Sequence, residues 1–180
     1  MLMHVEPARP DHLAAVKAAY SDARAIQRER GGVLWPEFSD AAILAEIATG
    51  HLLRVLEGDT LVGVFSVAYE DPAIWGEHER GAHIYLHRIA RAAGYQGRGL
   101  TDMVVAWAHE RCRALGRAGV RMDTWASNAA LIAYYQRLGF RLVGRRRIAP
   151  DARLPDHYHG IYLALLEQPC GARIENARTR

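Results

Sequence analysis

Apolar positions along the chain follow two periods, one near 3.6 residues and one of two, and the periods change from segment to segment. In residues 11–30, DHLAAVKAAYSDARAIQRER, Leu13, Val16, Tyr20 and Ile26 stand among charges, which predicts an amphipathic helix ended by Gly31 and Gly32. Ser39 precedes AAILAEIA as the N-cap of a second helix that stops at Gly50. HLLRVLE and TLVGVFSVAY have the composition of strands, and Gly58-Asp59 between them predicts a two-residue hairpin. EDPAIWGEHERG reads as a loop and AHIYLHRIA as a strand leading into a glycine-rich stretch. Leu100, Met103, Val104, Trp107 and Leu115 then recur at helical spacing, with Gly116 closing the helix. VRMDTW predicts a strand, NAALIAYYQRL a helix, GFRLVGRRRI a strand, and YHGIYLALLE contains a last strand. With no internal repeat and no linker, this order predicts a mixed α/β fold. One domain is expected over residues 1–168, with a polar tail at 169–180 expected to be disordered.

Composition narrows the class. A chain of 180 residues, 50% hydrophobic and 24% charged, suits one globular domain, and no apolar run is long enough to cross a bilayer. The opening MLMHVEPARPDHL lacks the apolar core of a signal peptide. Cys112 and Cys170 form neither a metal spacing nor a disulfide framework, in keeping with a reducing cytoplasm, the expected location. The net charge of +3 comes almost wholly from arginine, Lys17 being the only lysine. These arginines are spread along the chain rather than gathered in one stripe, so neither nucleic acid nor a membrane is expected as a partner, although Arg145, Arg146 and Arg147 could attract an anion.

The glycine-rich stretch is the first candidate for chemistry. Gly94 to Thr101, GYQGRGLT, misses the P-loop pattern because Leu100 stands where the phosphate-binding lysine belongs. A dinucleotide fingerprint starting at Gly97 and Gly99 meets Asp102 in place of its third glycine. What remains is the general physics of glycine backbone and a helix start, whose N–H groups can approach an anion such as a pyrophosphate. A plain turn between strand and helix is the alternative.

Two further features give that loop a context. Gln96-Gly97-Arg98-Gly99-Leu100-Thr101 resembles the [QR]-x-x-G-x-[GA] loop of the GCN5-related N-acetyltransferase (GNAT) family. Asn128 through Tyr135 to Gly139-Phe140 resembles that family's N-x-x-A-x-x-x-Y-x-x-x-G-F segment. The two are separated by one amphipathic helix and one strand, in the family's order, and the likeness covers most of residues 3 to 167. The resemblance implies a mixed, mostly antiparallel sheet of six to seven strands flanked by about four helices, with strands splayed at an acetyl-CoA site. It implies acetyl transfer from acetyl-CoA to an amine, without a metal. CoA contacts are implied for Ile89, Arg91, Gln96, Gly97, Arg98, Gly99, Leu100, Thr101 and Asn128. Arg98 could pair with a phosphate or point into solvent. Thr101 and Arg91 depart from the family pattern. The first puts a methyl and a hydroxyl near the pyrophosphate, while the second leaves its backbone N–H and C=O in place.

Acetyl transfer needs a free amine and a proton for the departing thiolate. Tyr135 matches the family's tyrosine near the CoA sulfur, and a phenol remains protonated at neutral pH; a buried structural aromatic is the alternative. In HIYLHRI, alternation places His83, Tyr85 and His87 on one face, and YLHRIA resembles a strand of arylalkylamine N-acetyltransferases in which histidines help deprotonate the amine. His87 holds one matching position and Tyr85 the other, and Tyr85 is expected to contact the amine substrate. His87 is the candidate base, against a histidine bonded to a backbone carbonyl. Trp35 with Glu37, Trp75 with Glu77, His78 and Glu79, and Trp125 beside Asp123 are candidates for holding a cationic amine, or else core residues. His157 and His159 lack a third ligand, so no metal is expected. The acceptor is expected to be a small-molecule or peptide amine. A homodimer accords with the family's habits but has no mark in the sequence. A non-catalytic acyl-CoA sensor of the same fold is the alternative function, and a P-loop nucleotidase a more distant one.

Overall fold

The computed structural model describes residues 3–97, 99–149, 154 and 158–171. Seven strands, β1 (Met3–Pro7), β2 (Leu52–Glu57), β3 (Thr60–Ala68), β4 (His83–Arg91), β5 (Gly119–Trp125), β6 (Arg141–Arg147) and β7 (Tyr162–Pro169), are ordered β1-β2-β3-β4-β5-β7-β6. Five α-helices, α1 (Leu13–Glu29), α2 (Asp40–Ala48), α3 (Pro72–Trp75), α4 (Leu100–Leu115) and α5 (Ala129–Arg137), intervene. The chain folds as two compact units, one of Met1–Val67 with His87–Trp107 and one of Ala68–Leu86 with Ala108–Arg180. The passages between them fall inside β3, β4 and α4.

The first unit follows the periodicity closely. β2 and β3 form the expected hairpin, with Glu57 opposite Thr60 across Gly58-Asp59. Ser39 Oγ accepts the Ala42 N–H at 3.2 Å and so caps α2. Val16, Ala19 and Tyr20 of α1 meet Ile43 and Ile47 of α2 in one core, together with Leu52, Val64 and Ala90. One strand was not expected. β1, sequence MHVEP, is short and polar at every second position, and its pairing with β2 from Met3↔Glu57 to Pro7↔Leu53 makes it a strand. Propensity alone would not.

In the second unit β4 and β5 pair in parallel from His83↔Gly119 to Leu86↔Met122, while β5–β7 and β7–β6 are antiparallel. Ile74, Trp75, Tyr85, Ile148, Leu163 and Leu165 form its core. The segment read as a loop contains α3, whose first turn is capped by Asp71 Oδ1 accepting the Ile74 N–H at 3.3 Å. The expected tail also starts too early. Pro169 still belongs to β7, and the Cys170 N–H donates to the Ala118 carbonyl at 2.7 Å. Residues 172–180 lie outside the described residues.

A buried charge holds this second core in register. Arg121, only 6% exposed, lies with its guanidinium 4.3 Å from the Trp75 ring centroid. Its Nε donates to Glu167 Oε2 at 2.8 Å and its Nη1 to the His78 carbonyl at 2.7 Å and the Tyr85 hydroxyl at 3.2 Å. Burial acts to raise the Glu167 carboxyl, but the hydrogen bond and charge of Arg121 outweigh it and the net shift is downward. Burial, then the Arg121 charge, push His83 in the direction of the neutral form.

Removing one member of such a pair leaves the other buried and uncompensated. Arg121→Met is expected to cost about 3 kcal/mol in urea unfolding at neutral pH. A carboxyl whose folded pKa lies below its unfolded value contributes stability that is complete above the unfolded value, 4.5 for Glu167, and is lost as pH falls through the folded one. The gap between wild type and Arg121→Met should therefore narrow on acidification below that value. A gap constant with pH would show that Glu167 does not contribute through its charge.

Candidate functional site

The glycine loop is built on fixed ends. At its start the Ala92 N–H donates to the Val62 carbonyl and the Ala93 N–H to Asp22 Oδ2, both at 2.9 Å. At its finish Leu100, 7% exposed, anchors the first turn of α4. Between them Gly97 and Gly99 have φ of 72° and 74°, a left-handed backbone that glycine adopts without Cβ strain. The Met103 N–H bonds the Gly99 carbonyl at 3.0 Å, so the amides of Leu100, Thr101 and Asp102 precede the first helical hydrogen bond of α4. Such amides, at the positive end of a helix, form an anion site that requires no lysine. Gln96 and Gly97 are exposed and Thr101 is half-buried. Arg98 lies outside the described residues.

β4 carries the second feature. Arg88 has φ of 48°, the one non-glycine residue of positive φ among the described residues. That backbone breaks the extended conformation, so the alternation read through HIYLHRI does not continue across it. The Arg88 guanidinium donates to Glu46 Oε1 of α2 and sits 4.9 Å from the Phe38 ring centroid and 6.0 Å from that of Tyr20. His87 and Ile89, on either side of it, and Arg91 at the strand end are half-buried.

Tyr20 and Phe38 also line a cavity of about 670 Å³ between α1 and the segment leading into α2. Its charged lining is balanced. Lys17 pairs with Asp40 at 2.5 Å and Arg24 with Glu37 at 2.6 Å. The Arg24 hydrogen bond, and then its charge, hold the Glu37 carboxyl below its ordinary range. Trp35 is half-buried, its ring centroid 6.2 Å from that of Tyr20 in an edge-on contact, with its backbone N–H on Gln27 Oε1. Trp35 and Glu37 thus belong to one neighbourhood, as the sequence suggests.

In the second unit Asn128 caps α5, its Oδ1 accepting the Leu131 N–H at 3.1 Å. This leaves the amide NH2 as its remaining polar group. Tyr135 is half-buried on α5, with ring centroids 5.6 Å from Tyr134 and 6.1 Å from Phe140. Burial first, then the neighbouring Tyr134 and the Asp123 charge, push its phenol above the ordinary tyrosine value. Trp125 packs beside the core formed by Trp75 and Tyr85. Tyr85 and Trp75 are both fully buried, with Trp75 under the Arg121 guanidinium, so these two expected acceptor contacts are core residues instead. Glu79 is a loop staple, its carboxylate accepting the Asp71 and Gly81 N–H groups. His159 Nε2 lies 3.0 Å from the Leu154 carbonyl, and His157 is outside the described residues.

Sequence reasoning passed over Gly63, Asp22, Glu46 and Arg88. Only Gly63 had a signal, a glycine inside an otherwise branched and apolar strand, which marks a close approach of backbone. A Cβ there would lie 2.6 Å from the Ala90 carbonyl oxygen and 2.7 Å from Leu100 Cδ2, so β3 meets both β4 and the base of the glycine loop at that point. Gly63→Ala is expected to destabilise the protein by about 1–3 kcal/mol through overpacking, read as a lowered denaturant midpoint. An unchanged midpoint would show that Leu100 and β4 can move aside freely.

Comparison with known proteins accords with this geometry. The chain is 27% identical over 152 residues to the uncharacterised N-acetyltransferase YesJ of Bacillus subtilis (strain 168), covering 74% of this chain and 84% of that protein. Its fold matches the crystal structure of a GNAT-family acetyltransferase from Listeria monocytogenes 4b F2365 with a TM-score of 0.73 at 20% identity, over 93% of this chain and 94% of that one. It also matches the PaiA N-acetyltransferase of Thermoplasma acidophilum in complex with coenzyme A, with a TM-score of 0.63 at 13% identity, over 94% and 99% of the two chains. The model of the acetyltransferase (GNAT) family matches residues 18–140, a span that takes in most of the cavity lining, Arg88, the glycine loop and Tyr135, and the chain belongs to that family.

Proposed function

We propose that the protein is an acetyl-CoA-dependent N-acetyltransferase that moves an acetyl group to a primary amine by direct attack within a ternary complex. The observation that carries this reading is the glycine loop, left-handed at Gly94, Gly97 and Gly99, that leads into the first-turn amides of α4. In the proposal these amides, with Gln96 and Thr101, bind the CoA pyrophosphate. The backbone of Ile89 and Arg91 and the amide of Asn128 serve the pantetheine arm. Tyr135 protonates the departing thiolate, and the upward push on its phenol keeps the donor form present through the assay range. His87 receives the amine proton, directly or through water. The amine acceptor, a small molecule or peptide, enters by the cavity lined by Glu37, close to Trp35.

Direct attack is favoured over an acetyl-enzyme by the state of the thiols. Cys112 is fully buried, and burial, then neighbouring Cys170, push its thiol up to about 12, so it holds no thiolate to acylate at neutral pH.

Calorimetric titration with acetyl-CoA, with ATP and magnesium as control, tests the loop. Saturable binding of acetyl-CoA alone is expected, and Gly99→Val should weaken it about tenfold or more by straining the left-handed backbone. Absence of acetyl-CoA binding would overturn the proposal. Binding without transfer across a broad amine panel would instead identify an acyl-CoA sensor. Tyr135→Phe should lower kcat about tenfold or more with acetyl-CoA affinity nearly unchanged, and without altering the shape of the pH–rate profile below about pH 9. Unchanged turnover would remove Tyr135 from the mechanism.

A further inference from the structure

Gln168 of β7 is fully buried in the second unit, and a carboxamide taken out of water must meet a partner at each end. It finds them on two helices. Its Oε1 lies 3.0 Å from Nε2 of His109, a residue of α4 that is 3% exposed, and its Nε2 donates to the carbonyl of Leu138, the C-cap of α5, at 3.2 Å. The donor end of the amide is thereby committed to Leu138, so His109 donates to Oε1 through its Nε2–H. Gly139 makes room for this contact. Its φ is 91°, and a Cβ on it would lie 2.8 Å from Gln168 Nε2. The same turn is bonded to Tyr135. The Leu138 and Phe140 N–H groups both donate to the Tyr135 carbonyl, at 3.0 and 3.1 Å, and the Phe140 ring centroid stands 6.1 Å from that of Tyr135. Gly139-Phe140 is thus where a buried amide from β7 docks on the last turn of the helix that carries Tyr135.

We infer that Gln168, held in turn by His109, is a positioning residue for acetyl transfer that fixes the last turn of α5 and with it the Tyr135 hydroxyl. This role rests on the reading of Tyr135 as the proton donor to the departing thiolate. A phenol that donates to a developing charge must stay within hydrogen-bond reach of it, about 2.6–3.2 Å, so a displacement of about 1 Å is enough to slow the reaction. The last carbonyls of a helix have no partner within it, and Gln168 supplies one to Leu138. Its base is firm. β7 is paired on both sides, by β5 and β6, with Gln168 opposite Val120. Apolar packing would also hold α5 against the sheet, but without direction, whereas the two hydrogen bonds of the amide fix the orientation of the turn. Gln168→Met keeps a side chain of similar length while leaving the Leu138 carbonyl without this donor and the His109 N–H without its acceptor.

The test is a double-mutant cycle between Gln168→Met and Tyr135→Phe in the purified full chain. It measures kcat and KM on an amine that the wild type acetylates, and acetyl-CoA affinity by calorimetry. Gln168→Met alone is expected to lower kcat about tenfold with KM and acetyl-CoA affinity nearly unchanged, and to add little further loss in the Tyr135→Phe background. His109→Phe, which frees the Gln168 amide to turn over, should lower kcat by a smaller factor and be masked by Tyr135→Phe in the same way. It carries the comparison if Gln168→Met does not fold. Equal losses in the two backgrounds would overturn this role, since Gln168 would then act on the whole fold rather than through Tyr135. So would an unchanged kcat in Gln168→Met. Failure of the underlying reading looks different, with no acetyl transfer by the wild type or no effect of Tyr135→Phe alone.

Discussion

The first unit depends on one backbone constraint, the positive φ of Arg88 in the middle of β4. A left-handed residue with a Cβ costs about 1–2 kcal/mol and persists only where its surroundings over-determine it. Here the surroundings are specific. The guanidinium is held by Glu46 from α2 and by the faces of Phe38 and Tyr20, so side-chain contacts offset the backbone strain. The same two rings form part of the cavity wall, and the same strand leads through Ala90 and Arg91 to the glycine loop. Arg88 therefore ties the cavity wall and the loop to one strand. A regular strand would place neither His87 nor Ile89 in its present orientation.

The second unit solves a different problem, a guanidinium within an aromatic core. Arg121 is tolerable there because each face and edge meets a partner: the Trp75 ring, the Glu167 carboxylate, the His78 carbonyl and the Tyr85 hydroxyl. This occupation is why Trp75 and Tyr85, plausible ligand contacts by composition, act as scaffold. Glu167 meets Arg141 as well as Arg121 and His83, so three strands share one carboxylate. Directional bonds of this kind fix strand register more tightly than apolar contact does.

The chain belongs to the GNAT acetyltransferase family, and the CoA pyrophosphate site proposed for the loop needs no phosphate-binding lysine. Gly97 and Gly99 both have positive φ, and α4 adds its first-turn N–H donors. A pyrophosphate can be neutralised by such dipoles because they are already oriented and need no reorganisation on binding. Asp102, in the first turn, excludes the dinucleotide fingerprint while remaining compatible with this arrangement.

Period and punctuation in the sequence determine the helices α1, α2, α4 and α5, the β2–β3 hairpin and the glycine loop, because each is set by local spacing, caps and turn chemistry. The combination of the loop motif with the Asn128 to Phe140 segment was equally legible, since both depend on residues close in sequence. Tertiary structure decided the rest. β1 is a strand only through its pairing with β2. The positive φ of Arg88 has no local code, because its strain is balanced by Glu46, Phe38 and Tyr20 from distant segments. Whether a tryptophan or tyrosine is core or contact follows from where a single arginine is buried. In each case the physical reason is the same: the deciding interaction joins residues far apart in sequence, where spacing carries no information.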